Sequence, residues 1–273
     1  MASAAVTSRF VTAPPSRPLR AFISHYWLSL DNRDATHTVL PDGTVDLVVS
    51  RFPASARSWV YGSATSRIGL ALEQRCHYLG VRFKPGQSRH FIDAAADELT
   101  DRCEPAEGLL LFPFDGVPES VVNEDIFACL NTLFEHHLAG REPAPSGIDR
   151  VVALIEATHG TTRIDEAAAS FGKSRRQFER VFLETVGVSA KFFSSVTRFR
   201  RAAALMQRPF VSLADIAFES GYSDQSHMSH EFRRLANVSP ATYARSRVAF
   251  LQDQPPPSSE NGPFPTTLLE GVR

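Results

Sequence analysis

An internal repeat in the second half of the chain most constrains its fold. Residues 164–174 (IDEAAASFGKS) align with residues 213–223 (LADIAFESGYS) at an offset of 49 residues. Beyond that point the offset becomes 50, and residues 188–190 (VSA) align with residues 238–240 (VSP). Similarity at a fixed period indicates one supersecondary unit used more than once. The sequence therefore predicts two copies of the same helical unit.

Each copy has the pattern of a short helix, a glycine-containing turn and a second helix. In the first copy, the apolar residues from Ile164 to Phe171 recur at the spacing of one helix face. Gly172 and Gly221 follow the two short helices and can adopt the left-handed conformation that ends a helix. The N-cap candidates for the second helices are Ser174 in the first copy and Ser223 or Asp224 in the second.

The second helix of each copy carries polar and basic side chains opposite its apolar face. A helix-turn-helix places such a helix in the major groove of DNA. The side chains predicted to contact base edges are Arg175, Arg176, Glu179, Arg180, Gln225, Ser226, His227 and His230. Arg176 and Arg180 suit bidentate contacts with guanine, whereas Glu179 can accept from a cytosine amine or pair with a neighbouring arginine. Each assignment has a simpler alternative. The arginines can belong to a helix face that only contacts solvent, and residues 225–227 can serve only to cap the helix and keep its surface polar.

The segment between the copies predicts a long connecting helix. Ser189 can cap it, and an apolar stripe then runs from Phe192 to Met206 at spacings of four and three residues. A helix of about 18 residues spans about 27 Å, comparable with the roughly 34 Å repeat of DNA. One rigid connector can therefore place two helices in successive major grooves. The predicted phosphate contacts are Ser174, Lys191, Arg198, Ser223 and Arg233.

Charge is unevenly distributed along a nearly neutral chain. The 273 residues include 29 Lys and Arg and 30 Asp and Glu, a net charge of −1. Residues 147–247 hold 15 basic and 10 acidic residues, a net of +5, and the remainder holds 14 and 20. A basic module suits a polyanion when its charges lie on groove-facing helices. The acidic remainder should repel DNA and leave the basic module as the face offered to the duplex.

Residues 147–247 resemble the DNA-binding module of AraC/XylS-family transcription regulators. The resemblance rests on the run GYSDQSHMSHEFRR (221–234) followed by VSPATY (238–243). It implies a bacterial promoter-binding regulator at the cytoplasmic nucleoid, with double-stranded promoter DNA and RNA polymerase as partners. The family usually has arginine where this chain has His230 and glycine where it has Asn237. Asparagine tolerates the left-handed conformation, whereas His230 carries no fixed positive charge at pH 7.

The first half of the chain has the pattern of an antiparallel β-structure with a few helices. Strands are predicted at 44–49, 59–62 and 78–83, because apolar residues alternate there, and helices at 88–96 and 124–138. The runs VLPDGTVDLVV (39–49), YGSAT (61–65) and 78–101 resemble the β-rich N-terminal domain that precedes such modules in uncharacterised bacterial regulators. That resemblance implies a sensory or dimerising role, with a small-molecule effector of unknown identity and a homodimer as the expected partners.

The predicted fold class is therefore α+β with two domains. Residues 1–140 form a β-rich effector or dimerisation domain, cupin-like or a related antiparallel fold, and residues 141–147 form a linker. Residues 148–247 form an all-α domain with two helix-turn-helix units, and the proline-rich residues 248–273 form a disordered tail. A signal at the first domain is expected to change how the second is presented to promoter DNA or polymerase.

Other classes of function leave weaker signals. No P-loop, GxGxxG, GxSxG or His-x-His with a following carboxylate occurs, so we expect no cofactor, no metal and no enzymatic activity. Asp42 and Asp46 suggest a carboxylate pair, yet a turn followed by a strand explains both. The spacing of Cys76, Cys103 and Cys129 suits neither a disulfide framework nor a zinc knuckle, and redox sensing by Cys76 or Cys103 is an alternative.

Two other interpretations stay open. One is a cupin-like metal-dependent enzyme or sensor with an appended DNA-binding module. The second is a nonspecific DNA-organising protein. No run of eighteen apolar residues occurs, so no membrane span is expected.

Overall fold

A computed structural model describes residues 9–52, 55–114, 125–141, 143–208 and 211–246 of the chain. The strands are β1 (Arg9–Ala13), β2 (Ile23–Leu30), β3 (Thr36–Val39), β4 (Asp46–Phe52), β5 (Ser55–Tyr61), β6 (Ile68–Ala71), β7 (His77–Phe83) and β8 (Cys103–Pro105). The α-helices are α1 (Asp125–Leu138), α2 (Gly147–Ala157), α3 (Ile164–Phe171), α4 (Arg175–Val186), α5 (Ala190–Leu205), α6 (Leu213–Glu219), α7 (Gln225–Ala236) and α8 (Pro240–Ser246). Short 3-10 helices cover Arg17–Ala21 and Ser88–His90. None of the helices in these ranges combines the length and apolarity needed to cross a bilayer.

The β-rich part consists of two antiparallel sheets. Six strands lie in the order β1-β2-β7-β4-β5-β8, and β3 pairs with β6. Val45, Leu47 and Val49 are buried on one face of the larger sheet together with alternate residues of β7, as the alternation predicts. This face packs against α1, whose Phe134 is fully buried. The apolar core of the β-rich part therefore lies between the larger sheet and α1.

The predicted helix at 88–96 is wrong. Only Ser88–His90 forms a 3-10 turn, because Phe91 and Ile92 are both buried in the core and Ile92 pairs with Leu110 in an isolated bridge. Further along, the N–H of Ala96 donates to the carbonyl oxygen of Glu184 at 2.8 Å instead of to its own segment. The predicted helix at 124–138 is observed at Asp125–Leu138.

The helical part confirms the repeat. The unit α3–α4 packs with α2 around Phe178 and Phe182, and the unit α6–α7 packs around Met228 and Phe232. The connecting helix α5 belongs to both cores, because Phe193 lies in the first core and Val196 begins the second. Its 16 residues span about 24 Å.

The buried surface of α5 is wider than the predicted stripe. Phe192 and Met206 are only partly buried, whereas Phe193, Ala202 and Leu205 are buried outside that stripe. The reason is that two helical units pack on different sides of one helix. Between the two parts, α1 ends at Leu138 and α2 begins at Gly147, so the predicted linker lies between two helices. The predicted tail at 248–273 lies outside the described residues.

Candidate nucleic-acid interface

Each second helix starts at a side-chain cap. The hydroxyl of Ser174 accepts from the N–H of Gln177 at 3.3 Å and caps α4. In the second copy Asp224 is the cap, since its carboxylate accepts from the N–H of His227 at 2.7 Å. That hydrogen bond lowers the pKa of Asp224. The two units thus differ in their caps, a serine hydroxyl in the first and an aspartate carboxylate in the second. Ser223, the other cap candidate of the second unit, contacts Nδ1 of His227.

The arginines of α4 are exposed but differ in their partners. Arg175 pairs with Asp165 and, at 2.9 Å, with Glu179, which corresponds to the second of the two roles considered for Glu179. Arg180 pairs with Glu184 at 2.7 Å. Within the described ranges, Arg176 has no carboxylate partner. Exposed ion pairs are weak and easily exchanged, so contact with DNA can replace them.

The corresponding face of α7 carries amide, hydroxyl and imidazole groups. Gln225, Ser226, His227 and His230 are all exposed, while Met228 on the opposite face is fully buried. The ring of His227 lies edge-on to Tyr222 with 5.2 Å between centroids, and Ser223 contacts its Nδ1. These two contacts orient the ring of His227 in the structure. Asn237 ends α7 in the left-handed conformation at φ 56°, as expected for the residue that replaces glycine.

The candidates for phosphate contact divide into exposed and embedded residues. Lys191 and Arg233 are exposed, and neither has a carboxylate partner in the part of the chain that the structure describes. Arg198 is embedded: its Nη1 donates to the carbonyl oxygen of Gly160 at 2.7 Å, and its Nη2 lies 3.7 Å from Glu231.

The guanidinium of Arg198 also lies over the ring of Tyr222, 5.7 Å from its centroid. Its charge is already compensated and its donors are partly used. The geometry therefore argues against the expected phosphate contact and for a structural role, in which Arg198 joins the turn after α2 to α7. Glu231, whose carboxylate forms this ion pair, is buried, and no sequence pattern singles it out.

The three cysteines lie apart from α4 and α7: Cys76 directly precedes β7, Cys103 lies in β8 and Cys129 lies in α1. Burial raises the pKa of Cys103 to about 11 and also raises the pKa of Cys76, so both groups remain thiols at neutral pH. A thiol is a poor nucleophile, which disfavours the alternative of redox sensing. Across the described residues, no three His, Cys, Asp or Glu side chains form a group able to hold a metal ion.

Comparison with known proteins divides the chain in the same way. Residues 167–246 match a helix-turn-helix domain, and residues 11–105 match a domain of unknown function, DUF6597. Over 88 residues the chain is 34% identical to the HTH-type transcriptional activator RhaS of Escherichia coli. This alignment covers 32% of this chain and 32% of RhaS. Over 96 residues it is 28% identical to an uncharacterized HTH-type transcriptional regulator of Haemophilus influenzae, covering 35% of this chain and 32% of the relative.

Among solved structures, a transcriptional regulator with an AraC-type DNA-binding domain from Chromobacterium violaceum is 29% identical over 37% of this chain and 92% of that one, with a TM-score of 0.35. The chain spans about a third of the length of the curated relatives that it matches. The aligned region contains the capped helices α4 and α7 and the connecting helix α5. Residues 167–246 therefore form a helix-turn-helix domain similar to those of DNA-binding transcription regulators.

Proposed function

We propose that the protein is a sequence-specific transcription regulator that binds promoter DNA through α4 and α7. The observation that carries the proposal is the pairing of two capped helices on one connecting helix, each with an exposed polar face opposite a buried core. Base reading is assigned first to Arg176, and then to Arg180, Gln225, Ser226 and His230. Lys191 and Arg233 supply contacts to phosphates, which position the module without reading sequence.

The β-rich part serves as the regulatory part in this proposal. It touches the first helix-turn-helix unit directly, since the hydroxyl of Ser63 donates to the carbonyl oxygen of Val186 at 3.1 Å. A small-molecule effector, contact with RNA polymerase and formation of a homodimer follow from the family resemblance. The chain has no enzymatic activity of its own in this scheme.

The test is selection of DNA from a random-sequence pool by the full-length protein. We expect a two-part motif whose halves lie about one helical turn, 10–10.5 base pairs, apart. Enrichment without any motif would support the alternative of a nonspecific DNA-organising protein. Metal analysis of the purified protein addresses the other alternative, because stoichiometric iron, manganese or zinc would favour a cupin-like enzyme or sensor.

A further inference from the structure

The C-terminal end of α4 lies against the β-rich part. An α-helix leaves the carbonyl oxygens of its last turn without partners inside the helix. In α4 the carbonyl oxygen of Leu183 accepts from the N–H of Gly187, which ends the helix in the left-handed conformation. The next carbonyl oxygens must find donors elsewhere. Val186 and Gly187 are buried, so these donors have to come mainly from the protein.

Two hydroxyl groups of the β-rich part reach these oxygens. The hydroxyl of Ser63 donates to the carbonyl oxygen of Val186 at 3.1 Å. The hydroxyl of Thr100 donates to the carbonyl oxygen of Gly187 at 2.5 Å. Each hydroxyl has a second acceptor within the β-rich part, but that acceptor is farther away, at 3.3 and 3.2 Å. Both side chains therefore act as C-terminal caps of a helix that belongs to the other part of the molecule.

A third donor is a backbone group. The N–H of Ala96 donates to the carbonyl oxygen of Glu184 at 2.8 Å. The side chain of Glu184 pairs with Arg180, one turn earlier in α4. The three hydrogen bonds thus hold the end of the helix that carries Arg176 and Arg180, the two arginines to which base reading is assigned.

Gly187 shows how closely the two parts approach at this point. Its φ is +88°, and a Cβ there would lie 2.9 Å from the carbonyl oxygen of Ala96 and 3.0 Å from Oγ of Ser63. Both distances are inside van der Waals contact. On the other side of the same junction, a Cβ on Gly43 would lie 2.8 Å from the ring of Phe193 in α5. Glycine at 187 is therefore required by the contact as well as by the backbone conformation.

The second unit of the repeat lacks this arrangement. The repeat places Asn237 at the position of Gly187. Among the described residues, no group of the β-rich part donates to the carbonyl oxygens of Arg234, Ala236 or Asn237. Asn237 is exposed, whereas Gly187 is buried. A side chain is tolerated at 237 because this end of α7 is open to solvent, so the two units differ in sequence where they differ in contact.

We propose that the β-rich part is the C-terminal cap of α4, and that Ser63, Ala96 and Thr100 are positioning residues for base reading by this helix alone. A helix end without partners opens locally, and a helix that has opened must be ordered again when it binds DNA. Loss of the cap therefore weakens the reading of the half-site bound by α4 and spares the half-site bound by α7. The effect on base reading rests on the function proposed above, but the cap itself does not.

The cap is removed by a double substitution in the full-length protein. Ser63→Ala with Thr100→Val deletes the two donor hydroxyls and nearly preserves the side-chain volumes. The matched control combines Ser194→Ala with Thr132→Val, which deletes two hydroxyls that donate within α5 and within α1. Thr100→Val alone replaces the double variant if the latter does not fold, since Thr100 is only partly buried.

Hydrogen exchange followed by mass spectrometry tests the cap without DNA. In the cap variant, amides 184–187 at the end of α4 should exchange at least about threefold faster than in the wild type. The equivalent amides 234–237 of α7 should keep their wild-type rate, and the control variant should keep both rates. Unchanged exchange at 184–187, or equal acceleration at the two helix ends, overturns the cap.

Base reading is tested on a duplex selected by the protein itself. Each half of the site is scrambled in turn, and its specificity ratio is the dissociation constant on the scrambled duplex divided by that on the selected duplex. The half read by α4 is the one whose ratio falls in Arg176→Ala. The cap variant should lower the ratio of that half by at least about threefold and leave the other ratio unchanged.

The two ratios separate positioning from a general loss of stability. Partial unfolding raises all the dissociation constants by one factor and leaves both ratios unchanged. Unchanged ratios at both halves, or an equal fall at both, contradict a role of Ser63 and Thr100 that is specific to α4. Failure to select any duplex contradicts the proposed function and the reading role with it, whereas hydrogen exchange still decides whether the β-rich part caps α4.

Discussion

At the scale of single residues, the exposed arginines of the DNA-binding part differ in what they can read. Arg176 lies on the exposed face of α4, and Arg233 lies further along α7. Arg176→Ala should remove about 1–3 kcal/mol of discrimination at one base position. Arg233→Ala should weaken binding similarly on all sequences. It should also reduce the salt slope, the slope of the logarithm of the binding constant against the logarithm of salt concentration, by about one. Dissociation constants on the selected duplex and on scrambled DNA over a series of salt concentrations measure both effects.

Arg33→Ala is the matched control for these two substitutions. Arg33 is an exposed arginine of the β-rich part, paired at 2.5 Å with Asp31. It removes the same charge at a site remote from α4 and α7, so it should leave the salt slope unchanged. Equal losses for Arg176→Ala on selected and scrambled DNA would contradict the assignment of base reading to Arg176.

His230 lies where the AraC/XylS-family module that this part of the chain resembles usually has arginine. It is exposed on α7, one turn after Ser226, and makes no side-chain hydrogen bond in the described part of the chain. His230→Arg places a permanent charge there and should tighten binding at low salt by about tenfold. Fluorescence anisotropy with the selected duplex measures the change. His136→Arg, which adds the same charge at an exposed position of α1, should have no such effect; an equal effect would mean that His230 faces away from DNA.

At the scale of elements, two equivalent glycines of the repeat differ in their surroundings. Gly172 and Gly221 both have positive φ, +72° and +78°. A Cβ on Gly172 would meet no atom within 4 Å, whereas a Cβ on Gly221 would lie 2.2 Å from Cγ2 of Thr161. Gly172→Ala should therefore cost only the strain of the left-handed conformation, about 1–2 kcal/mol, and Gly221→Ala should cost more. Urea denaturation of the wild type and both variants measures how much each substitution lowers the free energy of unfolding.

Comparable losses for the two glycine variants would contradict the close packing of Gly221. In that case the turn of the second unit and the loop containing Thr161 would be free to separate. The contact joins the turn between α2 and α3 to the glycine turn of the second unit, and Arg198 of α5 binds the same turn through the carbonyl oxygen of Gly160. A larger cost at Gly221 would thus measure how tightly the turn of the second unit packs against the turn between α2 and α3.

The elements that could be predicted are those determined by nearby residues. The repeat, its glycine turns and Ser174 as a cap depend on spacings of a few positions, and all three are observed. What escaped prediction depends on partners distant in sequence. The pairing of Arg82 with Asp46 spans 36 positions, and nothing near either residue indicates it. The segment 88–96 has a helical pattern. Its apolar side chains Phe91 and Ile92 are instead buried in the core of the β-rich part, and the N–H of Ala96 donates to a carbonyl oxygen of α4.

At the scale of the whole molecule, the carboxylate of Asp149 accepts hydrogen bonds from both the β-rich part and the helical part. Asp149 accepts from the N–H of Ser146 at 2.6 Å, which completes the capping box of α2, and from Arg89 and Gln87 of the β-rich part at 2.8 Å each. Burial raises the pKa of Asp149, but the hydrogen bonds from Arg89 and Ser146 outweigh it and hold the pKa below 3.8. The charged carboxylate therefore stabilises the folded protein.

The lowered pKa sets the direction of a pH effect. A carboxylate with a depressed pKa contributes stability that is complete above its unfolded value, about 3.9, and is lost as the pH falls through the folded value. Asp149→Asn should reduce the free energy of unfolding by about 1–3 kcal/mol near pH 7. Its difference from the wild type should narrow as the pH falls below about 3.9 and through the lowered pKa of the folded protein, because the wild-type carboxylate then becomes neutral as well.

Urea denaturation across that pH range measures the difference between the two proteins. Asp31→Asn is the control, because its partner Arg33 lies in the same exposed turn and joins no two parts of the molecule. A difference that did not narrow at any acid pH at which both proteins still fold would mean that the shape of the side chain, not its charge, holds Arg89 and Gln87. The same substitution should also loosen the contact between the β-rich part and α2, because Gln87 and Arg89 would lose the charged carboxylate to which they donate.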